Sequence, residues 1–447
     1  MGLSSKRHAD IFCYLTLFDV STRSIILKRM KMHALVIGLG LSAIIVPAAH
    51  AQSSELSSGS SSLWGLSSSG NDGPVHSSTH ISPGLEVTKI GDLFGRGISD
   101  SIDVLAGDLG QMVPLNNKGE FAIIFGDSFR GEHLGEGEWL SPIGVVAKLE
   151  NGRIKIVRPL NEGDRAQQLI DYKHNERNLT LLPSDIINID GTLYLQAMWN
   201  EGVGNVLKTE IWKSTDNGCK WESVATLPKD YMGGMGNLIT WEKGVDGYIY
   251  MMSSEFKRKD DVYLTRFKPE DMDTPSRWEH YDSGVWGKTY SPVLSKNVQA
   301  GEMCLRYIDG YWVLSMFNAN NLSIEVRVAD SITADWENIS PAKVVVMGSG
   351  GWSAPQGPNN FTQLYGGYIV PGSSLENMDF VVSQWNTTTN KRYNSTQFNV
   401  KGLDKFFGIN RSASENIEEA LEVTEKGTVE DNHPAPLTMI PLADGVN

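Results

Sequence analysis

The sequence predicts an all-β fold, a five-bladed β-propeller, on three observations. Its 447 residues include 45 glycines and 12 tryptophans, which suits many short strands joined by glycine turns and anchored by aromatic side chains. Asp190-Gly191, Asp246-Gly247 and Asp309-Gly310 each separate two apolar-aromatic runs. Asp-Gly is a favoured type I′ hairpin turn, because both central residues there need positive φ. Trp-Glu pairs recur at Trp221, Trp278 and Trp336, spaced 57 and 58 residues apart and lying 31, 32 and 27 residues beyond those turns. A further Trp-Glu, at Trp241, falls off the period. A unit of about 58 residues accommodates a four-stranded blade with its loops, and the span from about residue 85 to 385 holds about five such units.

The chain before that span divides in two. Residues 1–51 read as an N-terminal extension and signal peptide: Lys28, Arg29 and Lys31 precede an apolar run from Ala34 to Val46, and Ala49-His50-Ala51 supplies the small residues of a cleavage site before Gln52. The apolar run has signal-peptide length and is short for a bilayer span, so the expectation is export, to the medium or the cell envelope, with no stable membrane span in the mature chain. The expected start is Met30 or Met32, and a retained N-terminal anchor is the alternative. Residues 52–83 form a Ser/Gly-rich linker. The propeller is expected over 84–400, followed by an acidic flexible tail over 401–447.

Composition narrows the partners. The formal net charge is −14. Residues 1–51 hold six Lys/Arg and two Asp/Glu, so the remainder carries 33 basic and 51 acidic residues, a formal −18. Such a surface repels phosphate backbones and anionic lipid, which argues against nucleic acid and for a neutral polymer. Past residue 51 only Cys219 and Cys304 remain, and their pairing is open. The nine histidines are scattered without metal-type spacing, so neither metal nor cofactor is expected. The expected state is a monomer.

Within the propeller, Ser214-Thr215-Asp216-Asn217-Gly218-Cys219-Lys220-Trp221 fits the Asp-box pattern, a structural turn in which Ser, Asp and Gly close a loop and Trp packs between blades. The chemistry is sought nearer the start of the fold. In Phe121-Ala122-Ile123-Ile124-Phe125-Gly126-Asp127, an apolar strand delivers Asp127 at its end beside a glycine that allows close approach. Asp108 stands likewise in Gly107-Asp108-Leu109-Gly110. Two carboxylates at strand ends around a propeller's centre can flank a glycosidic bond, one protonating the leaving oxygen and the other serving as base or nucleophile. Taken alone, each Gly-Asp is more often a turn residue than a functional one.

The run GDLG followed by FGDSF resembles the opening of the endo-D-arabinanase family, glycoside hydrolases first catalogued as a domain of unknown function. STDNGCKW, MGNLITWEKGVDGYIYMMSSEFKRKDDVYLTRFKPEDM, GEMCLRYIDGYWVLSMFN with SIEVRVADS, and LYGGYIVPGSS followed by VVSQW are similar in kind and order, over about residues 100–386. The resemblance implies a five-bladed propeller, endo-cleavage of α-linked D-arabinofuranose chains in arabinogalactan or lipoarabinomannan, and Asp108 and Asp127 as the catalytic pair. Ser128 stands where threonine is usual, Gly301-Glu302-Met303-Cys304 replaces a more usual Gly-Glu-Leu-Ser, and Gly131–Trp139 is an insertion able to reshape the cleft.

Glu302, opening the strand pair that leads to Asp309-Gly310, is a third candidate, for acid–base assistance or a sugar hydroxyl; the alternative is a buried carboxylate holding Arg306 or Arg327. Glu210 and Asp185 are weaker candidates. Trp199, Asn200, Trp286, Tyr290, Trp352 and Trp385 are the expected sugar-binding residues, with about two of the aromatics touching ligand. The competing readings are a non-catalytic carbohydrate-binding propeller, an L-arabinan enzyme, and a sialidase-like enzyme. The last would need three clustered arginines, drawn from Arg130, Arg177, Arg306 and Arg327.

Overall fold

The inner hairpins explain the architecture. In the strand Glu120–Phe129, residues Phe121 to Phe125 are all buried, but alternate side chains enter different cores. Phe121, Ile123 and Phe125 join one cluster, whereas Ala122 and Ile124 pack with Ile186, Leu193 and Leu195 of the following sheet. Strand Tyr311–Asn318 does the same, sending Trp312, Leu314 and Met316 one way and Val313 and Phe317 the other. Side chains alternate across a strand, so a run that is apolar at every position belongs to a sheet covered on both faces. That is the situation of a blade between two neighbours.

The computed structural model describes residues 80–116, 118–348 and 354–409. Trp352 lies outside them. Their strands form five antiparallel sheets. The innermost strands, Ala106–Pro114, Leu179–Ile189, Leu238–Lys243, Ala300–Ile308 and Leu364–Ile369, belong to blades 1 to 5 and touch in a closed ring. The protein is a five-bladed β-propeller. Strand Glu86–Asp92 pairs with Tyr393–Lys401 on the outside of blade 5, so the start of the fold closes the ring against its end. Arg392 secures this closure with a bidentate pair to Asp92 (2.5 and 2.7 Å), and Thr396 donates to the same carboxylate. No helix among the described residues is long and apolar enough to cross a membrane.

The repeat maps onto equivalent places. Asp190-Gly191 and Asp309-Gly310 join the inner two strands of blades 2 and 4 as two-residue turns, with φ of 52° and 93°, and 52° and 84°. Asp246-Gly247 joins the same pair in blade 3 but sits in a wider loop, where the Asp246 carboxylate accepts from Tyr248 N and the Tyr250 hydroxyl. Trp278 and Trp336 are fully buried at the approach to the outer strands. The Asp box closes as expected: Ser214 Oγ donates to Asp216, Gly218 N donates to Ser214 Oγ, and Trp221 Nε1 donates to Gly218 O. Cys219 and Cys304 are both free thiols.

Candidate active site

The five inner strands begin around one end of the ring. There Asp108, Asp127 and Glu302 line a single pocket with Leu182, Met198, Val203, Leu238, Phe256, Tyr365, Trp385 and Tyr393. A larger cavity of about 540 Å³ opens where the strands end. Arg306 in its wall clamps Asp185 at 2.9 and 3.0 Å, and Glu242 of the same wall is pushed up to about 7 by burial against the pull of that guanidinium. Cavity size therefore does not select the site. Asp185 is a structural ion-pair partner, also accepting from Thr240, and Glu210 likewise serves Trp199, Lys208 and Ser223.

Asp108 reaches the pocket through an irregularity of the backbone. Pairing between Ala106–Pro114 and Glu120–Phe129 slips twice around Leu109, which adopts φ 64°. A left-handed leucine is strained; Ser383 Oγ accepts from its N–H at 2.8 Å and Ser395 Oγ donates to its carbonyl at 2.7 Å, so blade 5 holds the bulge in place. Bulges re-aim side chains, and here the side chain is Asp108. Gly126 completes the arrangement. A Cβ at that position would stand 2.7 Å from Asp108 Oδ1 and 2.8 Å from Leu109 Cδ1.

The two aspartates live in different surroundings. Asp108 is 7% exposed; Oδ2 accepts from the Tyr365 hydroxyl at 2.7 Å, while Oδ1 has no hydrogen-bond partner. Burial, reinforced by the charge of Asp127, pushes its carboxyl up to about 8 despite the Tyr365 and Tyr393 hydroxyls. Asp127 is half-buried, and its Oδ1 accepts from Trp139 Nε1 at 2.9 Å and Thr180 Oγ1 at 2.7 Å. Burial raises it too, but Thr180, Trp139 and Ser141 pull it back, as does the positive field of His174.

Glu302 is 4% exposed and ion-paired, with Arg258 rather than Arg306 or Arg327. Arg258, at φ 56°, lays its guanidinium over the rings of Phe317 and Tyr365 at 5.1 and 5.2 Å. Glu302 Oε2 has no hydrogen-bond partner. The four arginines considered for a sialidase cluster are engaged separately, Arg130 with Asp103 and Glu138, Arg177 with Glu201, Arg306 with Asp185 and Arg327 with Glu325.

Of the expected sugar-binding residues, Trp385 lines the pocket, its Nε1 held by Asn390. The others described do not. Asn200 is fully buried and donates to Met198 O, and Trp199 is tied to Glu210 between Tyr172 and Trp212. Trp286 packs against Tyr250, Tyr281 and Arg266 in blade 3, and Tyr290 stands 40% exposed beside Tyr263 and His280. These aromatics anchor blades, which is the ordinary use of tryptophan in a propeller. The residues that sequence reasoning missed are Trp139, Thr180, His174, Arg258, Phe256, Tyr365 and Tyr393. Trp139 ends the recognised insertion, and Phe256, Arg258 and Tyr365 fall within the segments that resemble the family; Thr180, His174 and Tyr393 carried no signal.

The family model described as "Domain of unknown function (DUF4185)" matches residues 96–399. The chain belongs to the DUF4185 family. An uncharacterized 35.9 kDa protein in the asd 3′ region of Mycolicibacterium smegmatis is 28% identical over 295 residues, 59% of this chain and 83% of that protein. Among solved structures, a protein from Bacteroides ovatus provisionally described as a hydrolase aligns with a TM-score of 0.53 at 10% identity, covering 69% of this chain and 89% of that one. An exo-β-1,3-galactanase from Clostridium thermocellum gives 0.45 at 13% identity over 70% and 61% of the two chains. At such identities the likeness is one of fold. In this DUF4185 member the matched span contains both aspartates, Glu302 and the residues that contact them.

Proposed function

We propose that this protein is an exported glycoside hydrolase that cuts internal α-D-arabinofuranosyl linkages of cell-wall arabinan. The observation that carries the reading is the pairing of Asp108 and Asp127 in one pocket with contrasting environments. Burial raises both carboxyls, but the Thr180, Trp139 and Ser141 donors and His174 pull Asp127 back, so the two are suited to divide the acid and base roles. With its carboxyl near 8, Asp108 is protonated at neutral pH and suited to act as general acid to the leaving glycosidic oxygen. Asp127, its orientation set by Trp139 and Thr180, is the base or nucleophile.

The pocket wall suits a neutral furanose: flat rings in Trp385 and Tyr393, apolar side chains in Leu182, Met198 and Leu238, and no charged side chain beyond the carboxylates, of which Glu302 is paired with Arg258. Endo-cleavage is the mode that the resemblance of GDLG and FGDSF to the endo-D-arabinanase family implies. Purified protein incubated with D-arabinan should release a ladder of short oligosaccharides, absent with Asp108→Asn and with Asp127→Asn. Retained binding without cleavage by the wild type would instead favour a carbohydrate-binding propeller.

A further inference from the structure

We propose that His174 is a positioning residue, a doubly protonated imidazolium that clamps together the two backbone segments supplying the donors to Asp127. The inference rests on the reading of Asp127 as the base or nucleophile.

The argument starts from hydrogen-bond valence. His174 lies in the connection that enters blade 2, half-buried. Its Nδ1 stands 2.7 Å from the carbonyl of Leu179 and its Nε2 stands 3.1 Å from the carbonyl of Trp139. Carbonyl oxygens only accept, so both ring nitrogens must donate. A neutral imidazole has one N–H; only the cation has two. The ring also stacks on the Trp139 indole, centroids 3.7 Å apart and planes 7° apart, where the ring face favours a cation.

The two carbonyls belong to the residues that matter for Asp127. Trp139 donates its indole N–H to Asp127 Oδ1, and the Leu179 carbonyl lies in the peptide leading into Thr180, whose hydroxyl donates to the same oxygen. One side chain thus joins the short strand Trp139–Leu140 of blade 1 to the first turn of blade 2's inner strand, on either side of the carboxylate. The charged and titratable groups around the ring are consistent with a cation. Asp127 faces it from blade 1. Tyr172 meets it edge-on from the same connection, with its hydroxyl donating to Ser141 O. Lys173, Glu176 and Arg177 flank it in sequence, Arg177 turned to Glu201. Loss of the second proton would leave one carbonyl facing a ring lone pair and release either Trp139 or Leu179.

The test uses the full chain. Nitrogen-15 NMR of the histidine rings, with His174 assigned by difference from His174→Phe, should show two protonated nitrogens at neutral pH. The Trp139 indole N–H resonance should move in His174→Phe, which keeps the flat ring but has no N–H. In kinetics on arabinan, His174→Phe and His174→Gln should lower kcat by about 10- to 100-fold, the scale of a small misplacement of a catalytic group, leave KM within about twofold, and move the acid limb of the kcat profile to higher pH. A neutral His174 ring at neutral pH, or a His174→Phe enzyme with wild-type kcat and acid limb, would overturn the clamp. Failure of the wild type to cleave arabinan would sink the functional reading alone. The ring protonation and the Trp139 resonance would then decide the clamp by themselves.

Discussion

Burial and the charge of Asp127 push the Asp108 carboxyl up to about 8, whereas in the unfolded chain the same group loses its proton near 3.9. Between those values folding takes up a proton, so stability should fall as pH rises, by at most ~1.4 kcal/mol per unit. Below about 4 both states are protonated and the effect vanishes; above about 8 both are ionised and the penalty is complete. Asp108→Asn should therefore flatten this slope and raise the melting temperature at neutral pH while abolishing cleavage. Thermal melts of both proteins across pH 4 to 9 check it, and an unchanged slope in the variant would place the titration elsewhere. The same residue predicts a basic limb near pH 8 in the hydrolysis profile, where the general acid loses its proton. Its neighbour Gly126 predicts a steric outcome. The added Cβ of Gly126→Ala would press on Asp108 Oδ1 and Leu109, costing about 1–3 kcal/mol of stability and a larger share of kcat than of KM.

Blade 5 is where one element decides the whole ring, because its outer strand comes from the start of the fold. Burial would raise Asp92, but the Arg392 guanidinium and Thr396 hydroxyl outweigh it and hold the carboxyl below its usual range. A depressed carboxyl stabilises the fold above its unfolded value near 3.9 and loses that contribution as pH falls through the folded one. Arg392→Met should cost about 1.5–3 kcal/mol at neutral pH, the range for hydrogen bonds to charged groups. Its difference from wild type should shrink in acid, as denaturant titrations at pH 7 and pH 3 would show. The hairpins of blades 2 and 4 were legible because a two-residue Asp-Gly turn is a local device, complete in its own φ angles. Asp246-Gly247 departs from that form because Tyr248 and Tyr250 supply side-chain and backbone donors that settle Asp246 in a five-residue loop. Trp199 and Trp286 were read as sugar platforms for a similar reason: sequence shows that a tryptophan lies near a strand end, but not that Glu210 or Arg266 already occupies it.

At the scale of the molecule, the period near 58 residues and the doubly buried strands are repeated features, so five blades could be read from the chain. The site is assembled across the ring and could be read only in its carboxylates and Trp385. Tyr365 donates to Asp108 from 257 residues away, and Thr180 and Trp139 reach Asp127 from different blades. No local pattern encodes such convergence. What the whole chain does encode is its charge, a formal −14, around a pocket lined by three carboxylates, one of them paired with Arg258. Long-range fields steer charged ligands and fade once ionic strength shortens the Debye length to a few ångströms. A neutral arabinan feels no such steering, so its kcat/KM should change by less than about twofold between roughly 20 and 500 mM NaCl. An anionic polysaccharide would be repelled at low salt, and any cleavage of it should rise as salt screens the repulsion. Measuring both polymers across that range separates the cases: a carboxylated polymer cleaved faster than arabinan, and fastest at low salt, would mean that the acidic surface does not govern substrate choice.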